Sequence, residues 1–172
     1  MRRSALAALL ALFVGTPCLA EVTDVSPAGF TSRTVHAIAA GPERVWGAFG
    51  EIDKWWNGDH SWSSDAANLY LDPVAGEEFG ERLPGGGSVT HMEVIYAEPG
   101  KRLRLRGSLG PLQEMAVTGV LSVTLKPTDE GTELTAVYAV GGYAPGGLEA
   151  IAPAVDRVVN EQFTRLGEYL AP

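Results

Sequence analysis

A strand that runs directly into a short helix is the feature that most constrains the fold of this chain. Residues 31–39 have the composition of a strand, and the run stops at Gly41. Pro42 suits the first position of a helix, where its missing N–H leaves no hydrogen bond unmade. Apolar residues then recur at helical spacing and give the helix one apolar face: Val45, Trp46, Phe49 and Ile52.

Much of the later chain alternates between apolar and polar residues, as strands with one buried face do. Residues 113–126 place these residues on one face: Met115, Val117, Gly119, Leu121, Val123 and Leu125. Residues 132–140 return after a turn with Leu134, Ala136, Tyr138 and Val140 on one face. Further strands are predicted at 30–39, 68–72, 77–83, 88–97 and 101–108, and a long C-terminal helix starts at Pro153. Strands that follow one another predict an antiparallel α+β architecture.

The first twenty residues have the features of a secretory signal peptide. Arg2 and Arg3 precede an unbroken apolar run, and small residues at Cys18 and Ala20 favour cleavage after Ala20. The run is shorter than the roughly 20 residues that span a bilayer. We therefore expect a signal peptide over 1–20, a loose leader over 21–29 and one domain over 30–172. The mature protein is expected to be periplasmic or secreted, with no integral membrane span.

Composition argues against several classes of function. Cys18 is the only cysteine, so the expected mature chain has no disulfide, thiol nucleophile or cysteine-ligated zinc. Two of the 13 basic residues lie in the signal, which leaves 11 against 21 acidic residues and a net charge of −10. That charge argues against nucleic acid as a partner.

Four short motifs follow one another along the chain: Pro42 to Trp46, Asp72 to Gly76, Tyr96 to Leu103 and Gly131 to Thr135. In order and spacing they resemble the SRPBCC superfamily of START-like and polyketide-cyclase-like domains. Within the superfamily the chain looks most like a branch labelled as activators of a heat-shock chaperone ATPase. The resemblance implies a helix-grip fold, in which a curved antiparallel sheet of about six to seven strands wraps around a long C-terminal helix. It also implies a cavity between sheet and helix.

An aromatic segment is the first candidate site. Trp55, Trp56 and Trp62 lie within eight residues, with His60 between them. The resemblance puts this segment at one mouth of the cavity, where flat indole rings suit hydrophobic ligands. A packed cover that only closes the core remains an equal alternative.

Glu81 and His91 form the second candidate, and the register of one hairpin decides whether they meet. If Phe79 pairs with Met92, the inward face holds Phe79, Glu81, Met92, Val94 and Tyr96, and His91 points outward. A shift by one residue puts Glu81 and His91 on one face. The first register segregates apolar residues better and is preferred. It leaves Glu81 facing the cavity with a raised pKa, as an acid, a base or an anchor for a ligand hydroxyl.

Other features carry weaker indications. His36, His60 and His91 show no metal-ligand spacing, so we expect neither a metal ion nor another cofactor. The glycine-rich loop around Tyr143 joins the last strand to the helix and can open for ligand entry or serve only as a sharp reversal.

The sequence therefore favours an exported protein that binds a small hydrophobic or lipid-like ligand over an enzyme. The expected ligand contacts are Trp55, Trp56, Trp62, Phe79, Glu81, Met92, Met115, Tyr138, Tyr143 and Phe163. One alternative is an enzyme of the polyketide cyclase or dehydratase type, with Glu81, His60 or His91 as acid or base. The other is a protein-interaction domain with a filled core.

Overall fold

One antiparallel sheet packs around a long C-terminal helix in the computed structural model, which describes residues 19–172. The strands are β1 (Leu19–Ser26), β2 (Gly29–Ile38), β3 (Leu69–Leu71), β4 (Glu78–Arg82), β5 (Ser88–Glu98), β6 (Arg102–Gly107), β7 (Ala116–Thr128) and β8 (Gly131–Tyr143). The helices are α1 (Pro42–Phe49), α2 (Ile52–Trp55) and α3 (Ala152–Tyr169), with 3-10 turns at Gly58–His60, Ala66–Asn68 and Gly110–Glu114. The sheet order β1-β2-β8-β7-β6-β5-β4-β3 confirms the predicted α+β helix-grip fold.

The long β7–β8 hairpin forms the middle of the sheet and confirms the predicted alternation. Gly119 pairs with Val140, and Leu125 pairs with Leu134, so the inward faces of the two strands are in register. The predicted strand start at residue 113 is wrong, because residues 110–114 form a 3-10 turn that begins with a Gly-Pro pair. Met115 lies after that turn, half-buried, and β7 begins one residue later.

The core lies between the inner face of the sheet and α3. Helix α3 turns an apolar stripe toward the sheet that includes Val159, Phe163 and Leu166, all buried. Strand β2 opposes it with a partly polar row, in which the buried Ser32 hydroxyl donates a 2.7 Å hydrogen bond to the Asp156 carboxylate on α3. The Ser32 hydroxyl and the Asp156 carboxylate therefore satisfy each other inside the core, as burial requires.

The segment predicted as a loose leader, residues 21–29, is ordered instead. Strand β1 pairs with the edge of β2, with Val22 opposite Ser32, and raises the strand number to eight. From residue 21 to 26 its side chains are exposed or half-buried, and they form no continuous apolar face that the sequence could reveal. Of the predicted signal peptide, residues 1–18 lie outside the described residues, while Leu19 and Ala20 open β1.

Candidate functional site

A cavity of about 490 Å³ lies between the first half of α3, strands β4 and β5, and two covering loops. One covering loop is the aromatic loop, residues 56–63, and the other is the 3-10 turn at Gly110–Glu114. The cavity is lined by Trp56, Asp59, His60, Ser61, Trp62, Phe79, His91, Leu109, Gly110, Pro111, Glu114, Ile151, Ala154, Val155, Val158 and Val159. Its volume falls within the range of about 300–1,000 Å³ typical of small-molecule pockets.

The aromatic loop is held to the sheet by one buried carboxylate. Glu81 on β4 is fully buried and accepts hydrogen bonds from the backbone N–H of Trp62 at 3.0 Å and of Ser63 at 2.5 Å. Hydrogen bonds from these two amides to an ionised carboxylate are charge-assisted, and such bonds are stronger than those between neutral groups. Glu81 therefore fixes the loop that carries the tryptophan at the cavity mouth.

Helix α3 holds the other end of the same loop. Gln162 is buried and accepts from the backbone N–H of Asn57 at 2.8 Å. Glu161 accepts from the Asn57 side-chain amide at 2.6 Å and lies 3.1 Å from His60 Nε2. The aromatic loop thus bridges the sheet and the helix across one side of the cavity.

A β-bulge at His91 brings this histidine to the cavity. Phe79 pairs with Met92, as the preferred register predicts, but Gly80 pairs with Thr90, as the alternative register predicts. His91 is the extra residue between the two registers, and His91 and Met92 are both buried although they are adjacent. The predicted outward orientation of His91 is therefore wrong. A second register shift at Ile95 leaves Tyr96 40% exposed, which corrects its predicted inward orientation.

Glu81 and His91 form a buried pair with their oxygen and nitrogen 3.2 Å apart. Burial raises the pKa of Glu81, but hydrogen bonds from Ser63 and Trp62 and the neighbouring His91 outweigh burial, so the pKa is lowered. The predicted raised pKa is therefore wrong. Burial lowers the pKa of His91 and outweighs the opposing effect of Glu81. The pair at pH 7 is an ionised carboxylate with a neutral imidazole.

Some of the residues predicted from sequence line the cavity, namely Trp56, Trp62, Phe79, His60 and His91. Trp56 is buried and packs edge-on against Phe79, with ring centroids 5.1 Å apart, while Trp62 is 46% exposed at the mouth. The ring of His91 lies 4.8 Å from that of Phe79. These side chains make an aromatic wall with one buried nitrogen base.

The other predicted contacts lie outside the lining: Trp55, Glu81, Met92, Met115, Tyr138, Tyr143 and Phe163. Trp55 belongs to the core, where its indole donates to Ala48 O at 2.7 Å and its ring stacks on Phe163. Tyr138 is fully buried, and its hydroxyl is 3.3 Å from both Gly107 O and Leu109 N.

Tyr143, at the end of β8, is 72% exposed to solvent, in contrast to the buried Tyr138. Glu81 lies behind His91 and the aromatic loop, as a support for groups that do line the cavity.

The ligand contacts predicted from the sequence include no residue of the second covering loop and none from the first half of α3. Leu109, Pro111 and Glu114 line the cavity from the 3-10 turn and the residue before it, and the strand predicted to start at residue 113 overlaps the end of this turn. Val155, Val158 and Val159 line it from α3. Their spacing predicts an inward helix face, but periodicity does not distinguish a cavity wall from a packed core.

Comparison with known families identifies the chain over most of its length. The sequence model of the polyketide cyclase / dehydrase and lipid transport family matches residues 30–171. The chain belongs to this family. The resemblance to the SRPBCC superfamily is thereby confirmed, whereas the narrower resemblance to activators of a chaperone ATPase stays a prediction. No curated protein matches the chain.

Solved structures with the same fold are distant in sequence. Protein MLL2253 from Mesorhizobium loti is 23% identical over 81% of this chain and 96% of its own, with a TM-score of 0.59. CalU16 from Micromonospora echinospora is 16% identical over 91% and 86%, with a TM-score of 0.58. DynU16, from the dynemicin biosynthetic locus, is 20% identical over 80% of this chain and 46% of its own, with a TM-score of 0.55. At these identities the likeness concerns the fold.

The described residues of this family member were compared with the requirements of a membrane-spanning helix and of a metal site. Across residues 19–172, no helix is long and apolar enough to cross a membrane. Within the same range, no group of three or more His, Cys, Asp or Glu side chains is arranged to hold a metal ion. The chemistry that the described residues themselves offer is proton transfer or hydrogen bonding at His91 and apolar contact along the walls.

Proposed function

We propose that the protein binds a small hydrophobic molecule in the cavity between α3 and the aromatic loop. The observation that carries this proposal is a cavity of about 490 Å³ whose walls are mostly apolar, with polar groups at the mouth and one buried base, His91. Burial of apolar ligand surface there is worth roughly 25 cal/mol per Å² before the costs of association. His91 orients the ligand through a hydrogen bond. A cavity of this size also weighs against an interaction domain with a filled core.

Native mass spectrometry followed by solvent extraction tests the proposal. We expect the purified protein to carry a hydrophobic adduct or to bind members of a lipid and aromatic panel. Val158→Trp fills the cavity from α3 and should abolish binding, because Val158 lines it. Thr164→Trp is the matched control, because Thr164 is exposed on the same helix. Equal binding by both variants would contradict a ligand site in this cavity.

A catalytic role is the second candidate, and the Glu81–His91 pair favours it. When His91 Nε2 donates to Glu81, the other ring nitrogen carries the lone pair and can accept a proton from a bound substrate. We propose His91 as the general base of such a reaction, with Glu81 as its positioning residue.

A proton-abstraction probe tests this candidate without the natural substrate. In 5-nitrobenzisoxazole, a base takes the proton from carbon, the N–O bond breaks, and a coloured cyanophenolate forms. We expect acceleration by the native protein, its loss in His91→Gln and its retention in His60→Gln, because His60 lies at the exposed mouth. A rate equal to that of buffer, or one unchanged in His91→Gln, would contradict a base at this position.

We also propose that the protein is exported. The support is the basic pair Arg2 and Arg3, the apolar run after it and the small residues at 18 and 20. Expression of the whole chain in a bacterium should give a periplasmic protein whose intact mass corresponds to a chain that starts at Glu21. Leu10→Arg interrupts the apolar run and should retain the protein at full length in the cytosol. If the protein without this substitution were also found at full length in the cytosolic fraction, export would be contradicted.

A further inference from the structure

The walls of the cavity carry acidic groups without basic counterparts. Asp59 lines the mouth from the aromatic loop, and Glu114 lines it from the opposite 3-10 turn. Among the described residues that line the cavity, none is lysine or arginine. His60 also lines the mouth, but the carboxylate of Glu161 lies 3.1 Å from its Nε2.

A fourth carboxylate lies behind the inner wall. Glu81 is fully buried, and its partners are the amides of Trp62 and Ser63 and the imidazole of His91. Burial keeps that imidazole neutral at pH 7 by lowering its pKa. The negative charge of Glu81 is therefore solvated by dipoles and has no buried cation beside it. A buried charge behind a mostly apolar wall is weakly screened and acts on a ligand at that wall.

The two observations act in the same direction. A carboxylate ligand would lose its hydration and meet negative potential from both the inner wall and the mouth, with no cation to pair with. An amine or hydroxyl on an apolar body meets the opposite situation, because it can donate to His91 or to the acidic mouth.

We propose that the cavity selects apolar ligands that carry a hydroxyl or an amine and rejects those that carry a carboxylate, free fatty acids included. This inference rests on the proposed ligand-binding function and specifies its ligand class.

Three probes of equal carbon number test the selection: 2-(2-naphthyl)ethanol, 2-(2-naphthyl)ethylamine and the carboxylate of 2-naphthaleneacetic acid. Calorimetric titration at pH 7 should show the alcohol and the amine binding at least tenfold more tightly than the carboxylate. Carboxylate binding equal to or tighter than that of the other two would overturn the charge selection while leaving the binding function in place. If none of the probes binds and no adduct is found, the binding function itself fails, and the selection fails with it.

Charge variants identify the source of the selection. Asp59→Asn with Glu114→Gln removes the two mouth charges and should reduce the preference for the alcohol over the carboxylate at least threefold. Asp129→Asn with Glu130→Gln removes the same charge at the exposed β7–β8 turn, outside the cavity lining, and should leave the preference unchanged. Equal effects of the two double variants would overturn the assignment of selectivity to the mouth.

Discussion

Replacing Glu81 by alanine should be among the most damaging single changes near the cavity. The carboxylate is fully buried, and it accepts hydrogen bonds from the Trp62 and Ser63 amides while it contacts His91. Alanine leaves three donors without an acceptor and removes the attachment of the aromatic loop to the sheet. We therefore expect both lower stability and a freer Trp62.

The size of the effect follows from these contacts. A hydrogen bond to a charged group contributes about 1.5–3 kcal/mol net. Trp62 and Ser63 lie in a loop that water can reach once it detaches, so we take about 1.5 kcal/mol for each amide. With the lost His91 contact, the unfolding free energy should fall by about 3–4 kcal/mol. For a domain of this length, that corresponds to a drop in melting temperature of roughly 10 °C.

Urea unfolding at pH 7, followed by tryptophan fluorescence, measures this change. Glu78→Gln is the matched control, because Glu78 lies on the same strand but binds Tyr70 and Thr90 in a more exposed position. It should cost about 1 kcal/mol or less. Glu81→Gln keeps the volume and one acceptor and should fall between the two.

The pH dependence gives the prediction a second component. The folded protein lowers the pKa of Glu81 below its ordinary value of 4.5, so it stabilises the ionised form. That contribution is fully present above about pH 4.5 and is lost as the pH falls through the folded pKa. The deficit of Glu81→Ala should therefore be constant from pH 7 to 5.5 and shrink in more acidic solution. A deficit under 1 kcal/mol at pH 7, with unchanged Trp62 emission, would refute the assigned role of Glu81.

Three further predictions concern stability. Burial lowers the pKa of His36 from 6.5 to about 4, so stability should fall by about 3 kcal/mol as the pH drops from 6.5 to 4; NMR titration of His36 and acid unfolding check this. Gly119→Ala places a methyl group 2.4 Å from the buried Tyr138 ring and should cost at least about 2 kcal/mol, measured by urea unfolding. Gly47→Ala meets nothing within 4 Å on the exposed side of α1 and should stabilise by about 0.5–1 kcal/mol in the same assay.

Regular alternation made the centre of the fold predictable. Strands β7 and β8 alternate buried with more exposed residues through most of their length, and the buried ones are mostly apolar; α3 repeats its apolar residues at helical spacing. Each pattern has one way to bury its apolar face, so sequence alone determines it. Strand β1 lacks such a face and was missed, because its pairing with β2 depends on an exposed backbone edge.

The hairpin at the site was harder to predict, because both registers considered for it occur. The preferred register holds for Phe79 with Met92, and the alternative holds for Glu81 with Val89. A bulge joins the two registers, and single-register reasoning cannot produce it. As a result, Glu81 is buried but lies outside the cavity lining, although the preferred register predicts that it faces the cavity, and His91 is buried instead of pointing outward.

The aromatic residues show the same limit at the level of packing. Trp55 and Trp56 are adjacent and both buried, yet only Trp56 reaches the cavity lining. Which of two neighbouring rings fills the core depends on the hydrogen bond from Trp55 to Ala48 O and on the space beside Phe163. Residue type and spacing carry no information about either.

Glu81 also couples the closure of the cavity to its polarity. Its hydrogen bonds to Trp62 and Ser63 hold the aromatic loop in place, and its charge sets the potential behind His91. In the proposed binding mode, a ligand that donates to His91 would increase the positive character of that ring and strengthen its contact with the carboxylate. The loop and the ligand then stabilise the same ionised state of one residue. A carboxylate ligand would favour protonation of Glu81 and so weaken the attachment of the loop that encloses it.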